Sequence, residues 1–423
     1  MLNALIVSII VLIILRAPIF VALGAPALAY LAIEGVPMGL APQRIIGTVN
    51  NSILLAVPMF LLAGRLMNLV GATERIFNFA DAIIGSVRGG LGYVSVIASL
   101  VFSAMSGSAA ADAVGVGTMT VKAMRERGYD PNFAAAVTLS SATLAPVIPP
   151  SIIMIIYGAT ANVSIGTLFI AGIVPGIIIA TGLMIAVGIL SWKRGYPKGE
   201  PPTVKRFWTS FKDAFFVLLT PVIVIGGIFG GVFTPTEAGV VAVVYIILLG
   251  LFYRTLKLQR LISEFVIAGA SVGVLMLIVA ISGLDAWVIT REQAPAALAA
   301  GVTSIASDPT LIMIMILLVV LLLGMFLDAT PIILMVVPVV MPLISAAGID
   351  PVHFGVLFCI TCVIGLITPP VGVALYGVAM VANLPIEKVF WATLPFFLSL
   401  LLCIGLFVFV PEIITTLPAL MER

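Results

Sequence analysis

The sequence predicts an all-α protein that crosses a membrane many times and is built from two inverted-topology halves. Three observations carry this reading. Hydrophobic residues fill 62% of the 423 positions and charged residues only 9%, whereas a soluble domain carries roughly 25% charge. The basic residues are gathered into a few clusters. Segments rich in Ser, Gly, Asp and Pro interrupt the apolar runs twice in each half.

With about 20 apolar residues per span, the chain has room for about ten transmembrane helices plus shorter pieces. Net charge is +2, which gives no basic surface for nucleic acid. No GxxxxGK[ST] loop is present to hydrolyse ATP. Met1–Leu15 is apolar with no Lys or Arg before it. A signal peptide carries its charge first, so this stretch reads as a retained span. Cys359 and Cys362 form a CxxC, but His353 is the only histidine and zinc wants four ligands. Both cysteines therefore read as small apolar residues of a packed helix.

Basic residues collect at Arg88 with Lys122, Arg125 and Arg127, at Lys193 through Lys212, and at Arg254 through Arg260. The positive-inside rule puts them in the cytoplasm. Spans near 1–15, 18–33 and 52–70 bring the chain inside. Residues 74–87 mix polar and apolar positions and read as an interfacial arm helix. Segment 91–121 is flanked by Arg88 and Lys122, so it enters, turns at Ser106-Gly107-Ser108 and returns as a re-entrant hairpin. An interrupted helix, 133–159, and a span, 165–191, complete a first repeat, 1–192. A basic cytoplasmic loop, 193–212, leads to a second repeat, 213–411, with spans 214–232, 237–251 and 262–289. An arm helix at 291–305 and a hairpin at 310–344 follow. That hairpin is flanked by Asp308 and Asp350 and opens to the periplasm. An interrupted helix, 352–380, a span, 390–410, and a C-terminal tail, 412–423, end the chain. Pro149-Pro150, Tyr157-Gly158 and Asn162 are echoed by Pro369-Pro370, Tyr376-Gly377 and Asn383.

The four breaks lie at Ser103–Asp112, Ala145–Ser151, Gly324–Pro331 and Gly365–Gly372. Ser, Gly and Asp leave backbone groups free, and free polar groups in hydrocarbon are costly. Such segments persist where they line a protected cavity, and paired breaks in two halves point to a transporter's binding site.

The motifs SGSAAADAVGVGTM, ATLAPVIPPS, GGVFTPTEAG and LITPPVGVALYG cover the chain in the order seen in a known family. They resemble the large membrane (permease) subunit of tripartite ATP-independent periplasmic (TRAP) transporters. The resemblance implies an elevator-type member of the ion-transporter superfamily in a bacterial inner membrane. It implies sodium-gradient-driven import of an organic anion, a carboxylate above all, and no enzymatic activity. It also implies a soluble periplasmic substrate-binding protein and a small, roughly four-span membrane subunit. No N-terminal extension precedes the first span, so the small subunit is expected as a separate chain.

Sodium takes several hard oxygen ligands, which a broken helix offers as unpaired carbonyls and hydroxyls. The first expected site draws on the hydroxyls of Ser103, Ser106 and Ser108. It adds carbonyls of Ala145, Val147 and Ile148, freed because Pro146, Pro149 and Pro150 lack an N–H. The mirror site draws on Gly324, Asp328, Thr330, Thr368 and Gly372. Two sites imply at least two sodium ions. The alternative for the serines is close helix packing by small residues. Asp112 either ligates at the first site or caps and orients the tip. For the substrate, the candidates are Ser106, Pro149 and Thr368 at the breaks, and Arg291. Arg291 is the only Lys or Arg between Arg260 and Lys388. It suits bidentate capture of a carboxylate, or else an interfacial pair with Glu292. Thr234-Pro235-Thr236-Glu237 reads as a helix-capping box, and Arg65 as a residue that snorkels or faces the small subunit. Two rivals remain: a sodium–dicarboxylate symporter working without a binding protein, and an ATP-driven permease subunit, against which the inverted hairpins speak.

Overall fold

A computed structural model describes residues 2–15, 17–296, 301–302 and 308–421, and every regular element among them is helical. The chain opens with α1 (Leu2–Ile14), α2 (Ile19–Ile33), α3 (Leu40–Val49) and α4 (Ala56–Leu69). An arm, α5 (Ala72–Ile84), precedes a hairpin of α6 (Gly90–Ser106) and α7 (Ala109–Glu126). Next come α8 (Pro131–Ala142), a non-helical stretch, and α9 (Ile152–Ala161). Four long helices follow: α10 (Ile165–Arg194), α11 (Val204–Phe229), α12 (Pro235–Phe252) and α13 (Leu258–Arg291). The second hairpin is α14 (Pro309–Gly324) with α15 (Ala329–Ala346). A second interrupted pair, α16 (Pro351–Gly365) and α17 (Val373–Ala382), leads to α18 (Ile386–Phe409) and α19 (Glu412–Met421). Among the described residues, seven helices are long and apolar enough to cross a membrane alone.

The two interrupted helices are built by the same local rules. Each starts at an Asp that caps the helix, Asp130 or Asp350, followed by Pro at the first position, where a missing N–H costs nothing. Each breaks at a Pro-Pro pair, and both of those Pro-Pro bonds are cis. Each ends at an Asn in the left-handed region, Asn162 or Asn383, a common C-terminal stop.

Packing interlocks the halves. The post-break helix α9 lies on α15 of the other hairpin, and α17 lies on α7. In turn α8 packs on α18, and α16 on α10 and α14. The result is one core of two hairpins and two broken helices. Around it α1–α5 and α11–α13 pack mainly on one another and form a scaffold.

Basic helix ends share one face. Arg127 at the end of α7 holds Asp81 of α5 at 3.1 and 3.3 Å, and Arg206 of α11 binds the same carboxylate. Arg194 pairs with Asp130 at 2.9 Å, and Arg125 donates to the Ala382 carbonyl at 3.2 Å. At the other face the Tyr157 hydroxyl donates to the Pro351 carbonyl at 2.8 Å, and Tyr30 to Glu292 at 2.6 Å. The first hairpin thus opens on the basic face and the second on the opposite one.

Several expected boundaries move. Helix α10 runs to Arg194 and α11 starts at Val204, so the basic loop is shorter than 193–212. Lys193 and Arg194 suit a last helical turn, and the Thr203 hydroxyl caps α11. Residues 412–421 are a helix and not a free tail, with Ile414 and Pro418 buried where it packs on α10. Arg291 ends α13 instead of opening an arm, and residues 297–300 and 303–305 of the arm expected at 291–305 lie outside the described residues. Arg65 pairs with Glu264 of α13 at 2.8 Å. Both side chains are partly exposed, so the pair contributes only about 0–1 kcal/mol.

Two core pieces meet glycine on glycine. A Cβ on Gly365 would lie 2.5 Å from the Gly324 Cα, and backbone cannot yield as a side-chain end can. Gly365→Ala should therefore destabilise the core by about 1–3 kcal/mol. Gly377→Ala, with nothing within 4 Å, should be neutral or mildly stabilising. Thermal unfolding of the purified variants checks both.

Candidate functional site

The first hairpin tip turns at Gly107, whose φ is +58°. Only glycine adopts this freely, and a Cβ there would sit 2.5 Å from the Pro150 carbonyl oxygen. The Gly107 carbonyl accepts from Ile152 N at 3.4 Å, so the tip is bonded to the first break. On its other side Gly64 of α4 lets Ser106 approach; a Cβ on Gly64 would be 3.0 Å from the Ser106 Cα. The second tip is held the same way. The Met325 carbonyl accepts from Val371 N at 3.2 Å and Gly372 N at 3.1 Å.

Between the tips lies a cavity of about 120 Å³. Ser108 and Pro146 line it from the first half, and Asp328 and Thr330 from the second. Leu61 of α4 and Leu275 of α13 close it on the scaffold side. The first turns of α7, α9, α15 and α17 all reach it. Four helix N-termini, each a partial positive charge, therefore converge with the C-terminal ends of their partner helices. Such a place offers N–H groups to an anion and carbonyls to a cation at once.

The expected site residues distribute as follows. Ser108 caps α7, its hydroxyl accepting from Ala111 N at 3.5 Å. Ser103 is buried and donates to the Ser99 carbonyl at 2.5 Å. The Ser106 hydroxyl is buried with no partner among the described residues. Both Asp112 carboxylate oxygens are likewise buried and unpartnered, with Ser99 facing them short of hydrogen-bonding geometry. Asp328 is exposed at the cavity and Thr330 is buried. Gly324 packs on Gly365, Gly372 bonds to the second tip, and Thr368 donates to the Ile364 carbonyl at 2.9 Å. Ala145 and Pro149 are buried in the first break. The Val147 carbonyl faces Gly172 of α10, and the Ile148 side chain lies against Gly176. Arg291 is not brought to this cavity. It lies about 24 Å beyond Leu275 along α13, at 1.5 Å per residue. It forms no ion pair among the described residues and lies over the Trp287 ring.

Three features escape the sequence reading. Ser151 ties the first break together, donating to the Pro146 carbonyl at 2.6 Å and accepting from Met154 N at 3.2 Å. Ser95, Ser99, Ser103 and Ser106 form one buried row on α6, facing a core that also holds Thr138 and Ser140 of α8. Their spacing of four, four and three is a helical face that could have been read. Asp285 of α13 is buried in the scaffold with both oxygens unpartnered.

The two breaks differ in exposure. Residues 143–151 and 152–158 are buried throughout. In the second half Pro370, Val371, Tyr376 and Met380 are exposed, so one side of α17 is uncovered.

The family described as "Tripartite ATP-independent periplasmic transporter, DctM component" matches residues 6–413. The chain is 42% identical over 399 residues to the sialic acid TRAP transporter large permease protein SiaM of Vibrio cholerae, covering 93% of each. It is 38% identical over 373 residues to the 2,3-diketo-L-gulonate TRAP transporter large permease protein YiaN of Escherichia coli, covering 88% of each. It is 36% identical over 376 residues to the C4-dicarboxylate TRAP transporter large permease protein DctM of Pseudomonas aeruginosa, covering 89% of this chain and 88% of that one. The fold is similar to the crystal structure of the Alcanivorax borkumensis YdaH transporter, with a TM-score of 0.67 at 14% identity, over 88% of this chain and 87% of that one.

The unequal exposure is testable at equivalent positions. Val373 is 48% exposed and Ile152 6%, each the first residue of a post-break helix. With the native cysteines replaced, Val373→Cys should react quickly with a membrane-impermeant thiol reagent and Ile152→Cys slowly. Equal rates would contradict the asymmetry.

Proposed function

The chain belongs to the DctM component family of tripartite ATP-independent periplasmic transporters, and on that premise we propose that this large permease subunit imports a small organic anion by a sodium-driven elevator movement. The protein is a multi-pass protein of the bacterial inner membrane. A soluble periplasmic protein delivers the anion, and a small, roughly four-span subunit on a separate chain completes the membrane part. Relatives are named for sialic acid, 2,3-diketo-L-gulonate and C4-dicarboxylates, all carboxylates, and a carboxylate of that size is the substrate class.

One observation carries the reading: both hairpin tips and both breaks meet at a single cavity lined by Ser108, Pro146, Asp328 and Thr330. The anion takes the converging helix N-termini. Sodium takes the oxygens beside them. The first ion uses Ser103, Ser106, Ser108 and the carbonyls of Ala145 and Ile148, with Asp112 supplying negative charge beneath. The second uses Asp328, Thr330, Thr368 and the carbonyls near Gly324 and Gly372. Unpartnered buried oxygens such as those of Ser106 and Asp112 are costly in a dry interior, and a cation offsets that cost. In the elevator movement the interlocked core slides against α4 and α13. The sealed α9 and the open side of α17 fit a cytoplasm-facing state.

Reconstitution with the small subunit, the binding protein and a panel of organic acids tests this. Uptake should require all three proteins and a sodium gradient, with a Hill coefficient for sodium above one. Ser106→Ala removes one ligand and should raise the half-saturating sodium concentration roughly tenfold while leaving thermal stability near the parent. Uptake without sodium, or by this chain alone, would overturn the proposal.

A further inference from the structure

On the face opposite the basic one, a crevice of about 850 Å³ separates α3 and α13 of the scaffold from α9 and α15 of the core. That volume suits a small-molecule site. Its wall is mixed, with Thr48, Asn51, Ser282 and Thr290 beside Leu54, Val279 and Leu334, and no carboxylate among the described residues that line it. Arg44 lines it, with its guanidinium carbon 6.0 Å from the centroid of the Trp287 ring. Arg291, one turn further along α13, lies 5.3 Å from the same centroid.

Arginine is disfavoured on the periplasmic side of a membrane protein. Here two arginines, far apart in sequence, are brought to one indole. Neither forms an ion pair among the described residues; the neighbouring Glu292 accepts from Tyr30. Each gains cation–π attraction, and two positive charges gathered at one indole, Arg44 lining the crevice and Arg291 beside it, favour an anion there. Guanidinium presents paired donors that fit a carboxylate.

The crevice also leads somewhere. Val279 lines it one helical turn after Leu275, which lines the cavity between the tips. Leu334 lines it one turn after Thr330, which does the same. Along both helices the two spaces are about 6 Å apart.

We propose that this crevice is a second anion site, in which Arg44 and Arg291 over Trp287 take the carboxylate of an organic acid on the periplasmic face before it reaches the hairpin tips. The site rests on the reading that the substrate is an organic anion, and it requires no sodium, because both charges that hold the ligand are fixed on the scaffold. Leaving this station for the tips is then the sodium-dependent step.

The test uses the large subunit purified with its small subunit, with Trp192, Trp208 and Trp391 and the small subunit's tryptophans replaced by Phe. Trp287 fluorescence is titrated with succinate, N-acetylneuraminate and isethionate as potassium salts, in sodium-free buffer of constant ionic strength. A saturable change with at least one acid is expected. It should weaken roughly tenfold in Arg44→Gln and in Arg291→Gln, recover in part in Arg44→Lys, and stay unchanged in Gly377→Ala, where the added methyl meets nothing within 4 Å. Absence of any saturable change with all three acids, a change that needs sodium, or one that persists unaltered in Arg44→Gln would each overturn the proposal. Sodium-driven uptake measured alongside keeps the two readings apart. If uptake proves independent of sodium, the transport proposal falls while the titration still reports on the crevice.

Discussion

Everything in this molecule depends on how interrupted backbone is satisfied inside an apolar surrounding. A helix that stops in hydrocarbon leaves N–H and C=O groups with no water to bond. Here each hairpin tip bonds to the break of its own half: Gly107 to Ile152, and Met325 to Val371 and Gly372. The glycines are consequences of that bonding. A side chain at Gly107 would strike the Pro150 carbonyl, and one at Gly365 would strike Gly324. The tips can come this close only without side chains, and the cavity between them exists only because they do.

The halves share this plan but not its chemistry. The first hairpin carries a buried row of serines and an unpartnered Asp112. On the second, the limb α14 is almost wholly Leu, Ile, Val and Met, and Asp328 stands exposed at the cavity. Oxygen ligands are therefore abundant on one side and sparse on the other. Two ions bound by the two halves would not bind equally. The more buried first site pays more desolvation and gains more from each ligand, so ion occupancy and tip rigidity should be most closely linked there.

Much of the plan was legible in the sequence because membranes restrict the options. Charge clusters at Arg88, Lys122 and Arg127 read directly as one face, and Pro-Pro, Tyr-Gly and Asn at matching places read as two copies of one unit. What stayed hidden depended on contacts across the fold. No local pattern says that Asp81 will be shared by Arg127 and Arg206, that Arg44 will meet Trp287, or that the Val147 carbonyl will turn to Gly172. The placement of Arg291 is the instructive case. Its residue type pointed to an anion, but its distance from the tips is set by the length of α13, which a span boundary drawn at 289 did not convey.

The contacts between core and scaffold bear on how such a core can move. Near the cavity the scaffold presents Leu61, Gly64 and Leu275, groups that pack without directional bonds. Apolar packing of this kind can be exchanged for similar packing one step along, with little change in energy. The polar tie lies at the end of the assembly, where Arg127 of the first hairpin holds Asp81 of the arm and Arg206 of the scaffold shares the same carboxylate. Asp81 is buried, so leaving it without Arg127 would be costly unless Arg206 stayed behind to pair with it. Arg206 is on the scaffold with the arm. In the movement proposed above, the arm carboxylate would keep Arg206 as the hairpin departs, which would lower the cost of separation while still favouring the docked state.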